Sequence, residues 1–467
     1  MLSLDLFVRC LVIVGITLRL TGLDLHSLWY DEGAMVYMAT APDCIEAVAG
    51  SRHPPVFVLL LKCWIVLFGQ SDALLRLLPA LTACGSLLLF TRLAAQWCGP
   101  TARVIAVACF ALSPFQIWYG QEVTPYALLE FGALLAYCGS SRALANTAAD
   151  GRALGLVFFG GALAFGTHYL GGLAGIGVAA MAMVGVATNR CTRRDGAKLV
   201  AASACGGLVW VPWLATIYWQ HQRLTVWGDE ARTSLRELAE LPVRLLLVDI
   251  GALPAAWLWT SVLCGGLVWL GLAFGMWRGW RAPAGIGSIA AALTAAIAVA
   301  LVLALVAKNF LPRYLTAVAP LVVLVMAVGL AALPGRWTGA LVGGCIVVAM
   351  SALLVAHRSG NRREDYRSAV ALLEQRWQPD DAIVAVSGTP ELFSQALLRH
   401  YLRARPDIIA SLRSVADWPL QGGEPRAVHL VYRVNSYADS DLRRVVAGRR
   451  EVFAAPVHVK VQYRELQ

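Results

Sequence analysis

Two carboxylates stand side by side in SLWYDEGAMVYMA, Asp31 and Glu32, immediately after a first membrane-length apolar segment. Ionised groups beside a bilayer are costly and tend to be kept for function. A carboxylate there can take a proton from an attacking hydroxyl or amine as a general base. The structural alternative is an acidic pair at a helix start, where negative charge is favoured. Neighbouring helical residues point about 100° apart, so one member faces a reaction and the other serves the fold. Asp31 is taken as the catalytic member and Glu32 as a substrate-positioning or structural one.

Four further groups have types suited to the same chemistry. His53 precedes Pro54 and Pro55, and a double proline opens a helix well because the first turn needs no N–H acceptors. A helix start attracts phosphate, so His53 is a candidate phosphate contact; the alternative is a plain polar cap. In SPFQIWYGQEVTPYALL, Pro114 and Pro125 bracket a turn that carries Gln121 and Glu122, suited to bind sugar hydroxyls or brace Asp31. His168 lies at a span end, where a packing role competes with substrate positioning. In VAKNFLPRYLTAVAP, Lys308 and Arg313 are cations at the mouth of a span and Tyr314 stands beside them. They suit an anionic headgroup, unless the arginine only snorkels.

The elements that must carry these groups are set by composition. The chain has 467 residues, 58% hydrophobic and 15% charged, against about 25% charged in soluble domains. Its mean hydropathy is +0.63. The expected fold is a polytopic α-helical membrane protein. A span needs about 20 apolar residues, and about eleven stretches qualify: near 5–22, 74–91, 103–119, 125–141, 153–168, 170–188, 198–218, 253–277, 285–307, 314–333 and 338–356. The first holds Arg9 and Arg19 and has no small-residue cleavage site, so it reads as a span and not as a leader. Pro54 to Phe68 is too short to cross and reads as an interfacial or re-entrant helix. It lies in an outer loop, 23–73, that carries the acidic motif.

Positive charge at span ends sets orientation. Arg92 and Arg103, Arg142 and Arg152, Arg190 to Lys198, and Arg278 and Arg281 fall on one side if the N-terminus is cytoplasmic. Asp31, Gln121, Glu122, His168, the long loop 219–250 and Arg313 then share the opposite side. The arginines of loop 219–250 count against that assignment. The net charge of +10 fits membrane orientation and contact with anionic lipids or phosphates. No basic patch interleaved with aromatics speaks for nucleic acid.

Composition changes after His357. The expectation is a transmembrane part, 1–357, followed by a small α/β domain, 358–467, on the extracytoplasmic side. In that domain YRSAVALLEQRW has helical spacing, while DDAIVAVSG, AVHLVYRV and PVHVKVQY read as strands. Most of the eleven cysteines lie in apolar runs and read as packing residues. Cys44 and Cys63 share the outer loop, and a disulfide between them stays open. No metal-ligand spacing occurs, so no cofactor is expected beyond a weakly held divalent cation.

Taken in order, SLWYDEGA, HPPVFVLLLKCWIVLFGQSDALLRLLPAL, SPFQIWYGQEVTPYALL, THYLG and PRYLTAVAP resemble the polyprenyl-phosphate-sugar-dependent membrane glycosyltransferases of the GT-C superfamily, the protein mannosyltransferase and aminoarabinose lipid A transferase kin. The resemblance is densest over residues 20–130. It implies a bacterial inner-membrane enzyme of the cell envelope. Such an enzyme transfers a hexose or pentose with inversion from a polyprenyl-phosphate donor to a glycolipid, glycan or protein acceptor. It also implies Asp31 as the catalytic carboxylate, His53 and Arg313 at the donor phosphate, where the residue reading adds Lys308, and Glu122 as the carboxylate of the second turn. One departure stands out: relatives carry Arg two residues after that Glu, where this chain has Thr124. The rival reading is a polytopic transporter of a polar or lipid-linked solute, which would be expected to show paired repeats and broken helices; none is evident.

Overall fold

The computed structural model describes residues 2–51, 53–216, 235–247, 258–282, 286–306, 311–335, 338–359, 364–386, 392–413, 428–432 and 452–456. The chain divides into two compact units. The first comprises Met1–Gly22, Ile45–Leu60 and Arg76–His357; the second comprises Leu23–Cys44, Leu61–Leu75 and Arg358–Gln467. The second therefore holds the acidic segment and part of the outer loop as well as the C-terminal region.

In chain order the helices are α1 (Leu2–Leu20), α2 (Tyr30–Thr40), α3 (Cys44–Ala49), α4 (Val56–Phe68), α5 (Asp72–Trp97), α6 (Pro100–Leu112), α7 (Pro114–Gly120), α8 (Tyr126–Ala145), α9 (Gly151–Thr167), α10 (Gly172–Ala187), α11 (Arg193–Leu208), α12 (Leu235–Leu247), α13 (Leu258–Arg281), α14 (Ser288–Val306), α15 (Ala319–Ala331) and α16 (Thr338–Ser359). A helix occupies each of the eleven apolar stretches. Among the described residues three helices are long and apolar enough to cross a bilayer, Asp72–Trp97, Tyr169–Ala187 and Thr338–Val355. The pair α6 and α7, bent by 46°, makes a fourth if counted as one broken span. At 13 residues α4 is short for a crossing, as its sequence predicts.

Close packing in the first unit follows from small residues, which let helix backbones approach. A Cβ added at Gly132 of α8 would lie 2.7 Å from Ala164 N, and one at Gly160 of α9 would lie 2.5 Å from Ala136 N. Gly329 of α15 meets the backbone of Gly271 in α13 in the same way. The bend after α6 has its own chemistry. Arg19 is fully buried and donates to Gly15 O at 3.0 Å, Ala111 O at 2.9 Å and Phe110 O at 3.0 Å. Phe110 and Ala111 are in the last turn of α6, whose carbonyls lack helical partners. Ser113 then opens α7, accepting from Gln116 N–H at 3.2 Å and donating to Leu246 O at 2.8 Å.

The stretch 219–250, expected as a loop, holds α12. Leu238, Leu241 and Leu245 recur at helical spacing, with Glu240 and Arg244 paired at 2.8 Å. The residue-rich mixture of charge and leucine hides an amphipathic helix, and its Leu245–Leu247 end is buried.

In the second unit a four-stranded parallel sheet has the order β2-β1-β3-β4. Its strands are β1 (Ala382–Val386), β2 (Leu412–Arg413), β3 (Val428–Tyr432) and β4 (Val452–Pro456), with helices α17 (Tyr366–Arg376), α18 (Leu392–Tyr401) and α19 (Pro406–Ile409) between or before them. Ala382 pairs with Val428 and Val428 with Val452. The near-continuous apolar run of β1 suits a parallel strand covered on both faces. Buried His429 on β3 meets buried Asp381, just ahead of β1, at 3.0 Å. The last strand lies ahead of the predicted PVHVKVQY stretch, which falls mostly outside the described residues. Cys44 and Cys63 are both free thiols.

Candidate functional site

In the first unit, four groups that the sequence singled out, from distant parts of the chain, come together. His53 and His168 place their ring centroids 6.0 Å apart, edge to face. His168 lies 5.7 Å from the ring of Tyr314. The same imidazole lies 5.8 Å from Tyr126, a residue the sequence reading passed over. The Arg313 guanidinium stands 5.6 Å from the centroid of the Tyr126 ring, within cation–π range. Tyr119 continues the aromatic wall, 5.6 Å from Tyr126. Tyr126 is the second residue of PYALL, directly after Pro125, and opens α8; that placement was its only signal.

Local backbone structure fixes each group. His53 donates its N–H to Ser51 Oγ at 3.1 Å, and Pro54 and Pro55 then lead into α4, whose first helical bond runs from Leu59 N–H to Pro55 O at 2.9 Å. His168 ends α9, and its Nδ1 accepts from Leu170 N–H at 3.1 Å. An acceptor at Nδ1 puts the ring proton of the neutral imidazole on Nε2. Arg313 and Tyr314 lie on a 3-10 turn, Pro312–Leu315, that leads into α15. Two imidazoles and a guanidinium against three phenol rings make a group suited to an anion attached to an apolar or sugar moiety. Lys308 lies outside the described residues.

The turn between α7 and α8 is built differently from its predicted part. The Gln121 amide donates to the carbonyls of Leu18, Arg19 and Thr21 at 3.0, 3.0 and 2.8 Å. It thereby closes the C-terminal end of α1. Glu122 is fully buried, and its carbonyl accepts from Thr124 N–H at 2.7 Å. Thr124 is itself 2% exposed, so the position where the family resemblance implies an arginine is closely packed.

In the second unit Asp31 is half-buried in the first turn of α2. Glu32 is fully buried, and its Oε2 accepts from Trp29 N–H at 3.2 Å, so it closes the start of its own helix. Nearby is a network that sequence reasoning missed. Asp72 accepts from Arg367 Nη2 at 2.7 Å, from Tyr401 Oη at 2.7 Å and, through its other oxygen, shares a contact with His400 Nε2 at 2.9 Å. These partners are separated by about three hundred residues of chain, and no local spacing could have joined them. Among the described residues no group of three or more His, Cys, Asp or Glu side chains is placed to hold a metal ion.

Residues 52–216 match the profile of the dolichyl-phosphate-mannose-protein mannosyltransferase family. That segment carries His53, Gln121, Glu122 and His168, and the resemblance to GT-C glycosyltransferases read from the sequence holds there. The fold is similar to that of ArnT from Cupriavidus metallidurans in the apo state, with TM-score 0.55 and 14% identity over 96% of this chain and 89% of that one. ArnT from the same organism bound to undecaprenyl phosphate gives TM-score 0.50 and 15% identity over the same shares. The oligosaccharyltransferase of Archaeoglobus fulgidus, in complex with zinc and sulfate, gives TM-score 0.54 and 13% identity over 87% of this chain and 62% of that one. No curated protein sequence matches. The fold of the chain is thus similar to that of these solved structures.

Proposed function

We propose that the chain is an inverting glycosyltransferase that moves a sugar from a polyprenyl-phosphate donor to an acceptor at the extracytoplasmic face of the membrane. The observation that carries this reading is the meeting of His53, His168, Arg313 and Tyr314 around Tyr126. One structure of similar fold is described as bound to undecaprenyl phosphate.

In this reading His53 and Arg313, with Lys308, receive the donor phosphate, while Tyr314 and His168 position the sugar-phosphate end. The acceptor hydroxyl or amine attacks the anomeric carbon. The bond from that carbon to the phosphate oxygen breaks, and the polyprenyl phosphate leaves with the electron pair. Asp31 takes the acceptor proton. A single displacement inverts the anomeric configuration. A well-placed donor at the departing phosphate is worth about 3–4 kcal/mol, and general-base assistance about 10²–10⁴-fold. No cofactor is assigned to the step. Glu32 and Gln121 serve it indirectly, through the helix ends they close.

Incubating the purified chain with radiolabelled polyprenyl-phosphate sugar and membrane glycolipid tests the proposal. Label transferred to the acceptor supports it. Uptake of solute into vesicles without transfer favours the transporter. Cysteine labelling that puts positions 31 and 313 on opposite leaflets removes the assigned roles.

A further inference from the structure

We infer that Tyr401, Glu364 and Asp72 are positioning residues for Asp31, and that the C-terminal part of the chain acts as a clamp on the acidic segment. The inference rests on the reading of Asp31 as general base and assigns the C-terminal region a task in the same reaction.

The segment from Asp24 to Gly33 is held along its length. The Arg367 guanidinium donates to Asp24 O at 3.1 and 3.2 Å and to Asp72 at 2.7 Å. Arg367 N–H donates to Ser27 Oγ at 3.2 Å. Tyr401 Oη accepts from Leu28 N–H at 2.7 Å, lies 3.2 Å from Ser27 Oγ, and donates to Asp72 at 2.7 Å. A phenol has one proton to give and two lone pairs to offer. All three capacities of Tyr401 meet partners here. Tyr30 N–H, one of the donors left without a helical acceptor at the start of α2, donates to Glu364 Oε2 at 3.0 Å. Asp31 is the next residue.

Packing completes the clamp. A Cβ at Gly33 would lie 2.5 Å from Leu397 Cγ and 3.0 Å from Phe393 O, so α2 rests directly on α18. The rings of Tyr30 and Phe393 meet edge to face at 5.4 Å. The backbone on both sides of Asp31 is therefore fixed by α18 and by residues at and just before the start of α17. Ser27, Asp72, Glu364 and His400 are all buried, which makes each lost bond costly. A carboxylate acting as general base must sit within hydrogen-bond reach of its proton, and a displacement of about 1 Å can cost about a hundredfold in rate.

Two measurements on the full-length protein test this. Hydrogen exchange reads the clamp without reference to activity: the Leu28 and Tyr30 amides are protected in the wild type, Tyr401→Phe exposes Leu28, and Glu364→Ala exposes Tyr30. Glu364→Gln, which still accepts a hydrogen bond, retains protection. Unchanged protection in both Tyr401→Phe and Glu364→Ala overturns the clamp. Steady-state kinetics then read its purpose. Tyr401→Phe is expected to lower kcat about 10- to 100-fold with the donor KM within about twofold, and to add no further loss in an Asp31→Asn background. An equal loss in both backgrounds overturns the positioning role. Full activity of Asp31→Asn alongside lost protection sinks the general-base reading and leaves the clamp in place. Should Tyr401→Phe fail to fold, the Glu364→Ala and Glu364→Gln pair supplies the same comparison.

Discussion

His53 and His168 meet edge to face, with 6.0 Å between ring centroids, although one precedes α4 and the other ends α9. Arg313 lies within electrostatic reach of the same imidazole. Three nitrogenous groups in one place repel each other when charged, an arrangement that an anion relieves. Removing the guanidinium should therefore weaken anion binding most. Arg313→Ala is expected to raise the Kd for polyprenyl phosphate about 10- to 100-fold, the equivalent of about 1.5–3 kcal/mol for a hydrogen bond to a charged group. Titration of purified protein with the lipid phosphate measures it. Affinity equal to wild type argues against a phosphate role for Arg313.

Asp31→Asn keeps size and hydrogen-bonding capacity but cannot take a proton. Transfer should fall by about 10²–10⁴-fold, with expression and elution in detergent unchanged. Glu32, not Asp31, accepts the Trp29 N–H that closes the start of α2. Glu32→Ala should instead lower the melting temperature, by an amount corresponding to about 0.5–2 kcal/mol for a lost cap. A wild-type rate in folded Asp31→Asn refutes the assignment.

The helices were readable because eleven apolar runs leave few other states for their residues, and β1 and β3 because short β-branched runs sat between polar turns. His53, His168, Arg313 and Tyr314 were readable as types at helix ends, and the fold brings them together. Tyr126 was hidden by its ordinary place in an apolar run. Helix α12 was hidden because its four charges masked the leucine spacing. The Asp72 network was hidden for a deeper reason: Arg367, His400 and Tyr401 reach that carboxylate only through tertiary structure, and a single sequence carries no trace of such a pairing. Gln121 shows the converse, a residue whose type suited substrate while its amide is committed to three backbone carbonyls.

Tyr401 also makes a prediction about pH. Burial, and then the neighbouring Asp72 carboxylate, push its phenol above the ordinary value of 10.0. A raised value in the folded state means that the stabilisation is complete below pH 10 and is lost only as pH rises through the higher value. The melting-temperature difference between wild type and Tyr401→Phe should thus hold steady up to about pH 10 and shrink above it. A difference that stays constant well above pH 10 would show that the phenol titrates in its ordinary range.

Arg19 fills the gap at the end of α6 with a charge that three carbonyls satisfy. Arg19→Met removes the donors and leaves buried acceptors behind, at about 1–3 kcal/mol for each unsatisfied group. Arg19→Lys should recover only part of the loss, since a point charge cannot span carbonyls that the planar guanidinium reaches at once. Thermal unfolding in detergent should rank wild type above Lys and Lys above Met; equal stability of all three would remove Arg19 from the bend.

Two glycines on α9 offer a matched comparison. A Cβ at Gly160 would lie 2.5 Å from Ala136 N and 3.0 Å from Ala136 Cα, whereas nothing lies within 4 Å of one at Gly155. Backbone atoms cannot step aside as a side chain end can, so Gly160→Ala must push α8 and α9 apart. The expected cost is about 1–3 kcal/mol, the range for overpacking. Gly155→Ala meets no neighbour and restricts only the unfolded chain, so it should be neutral or stabilising by up to about 1 kcal/mol. Melting curves of the two variants in the same detergent decide the matter. Equal effects would mean that the α8–α9 contact is looser than the glycine geometry requires, and that helix propensity alone governs both positions.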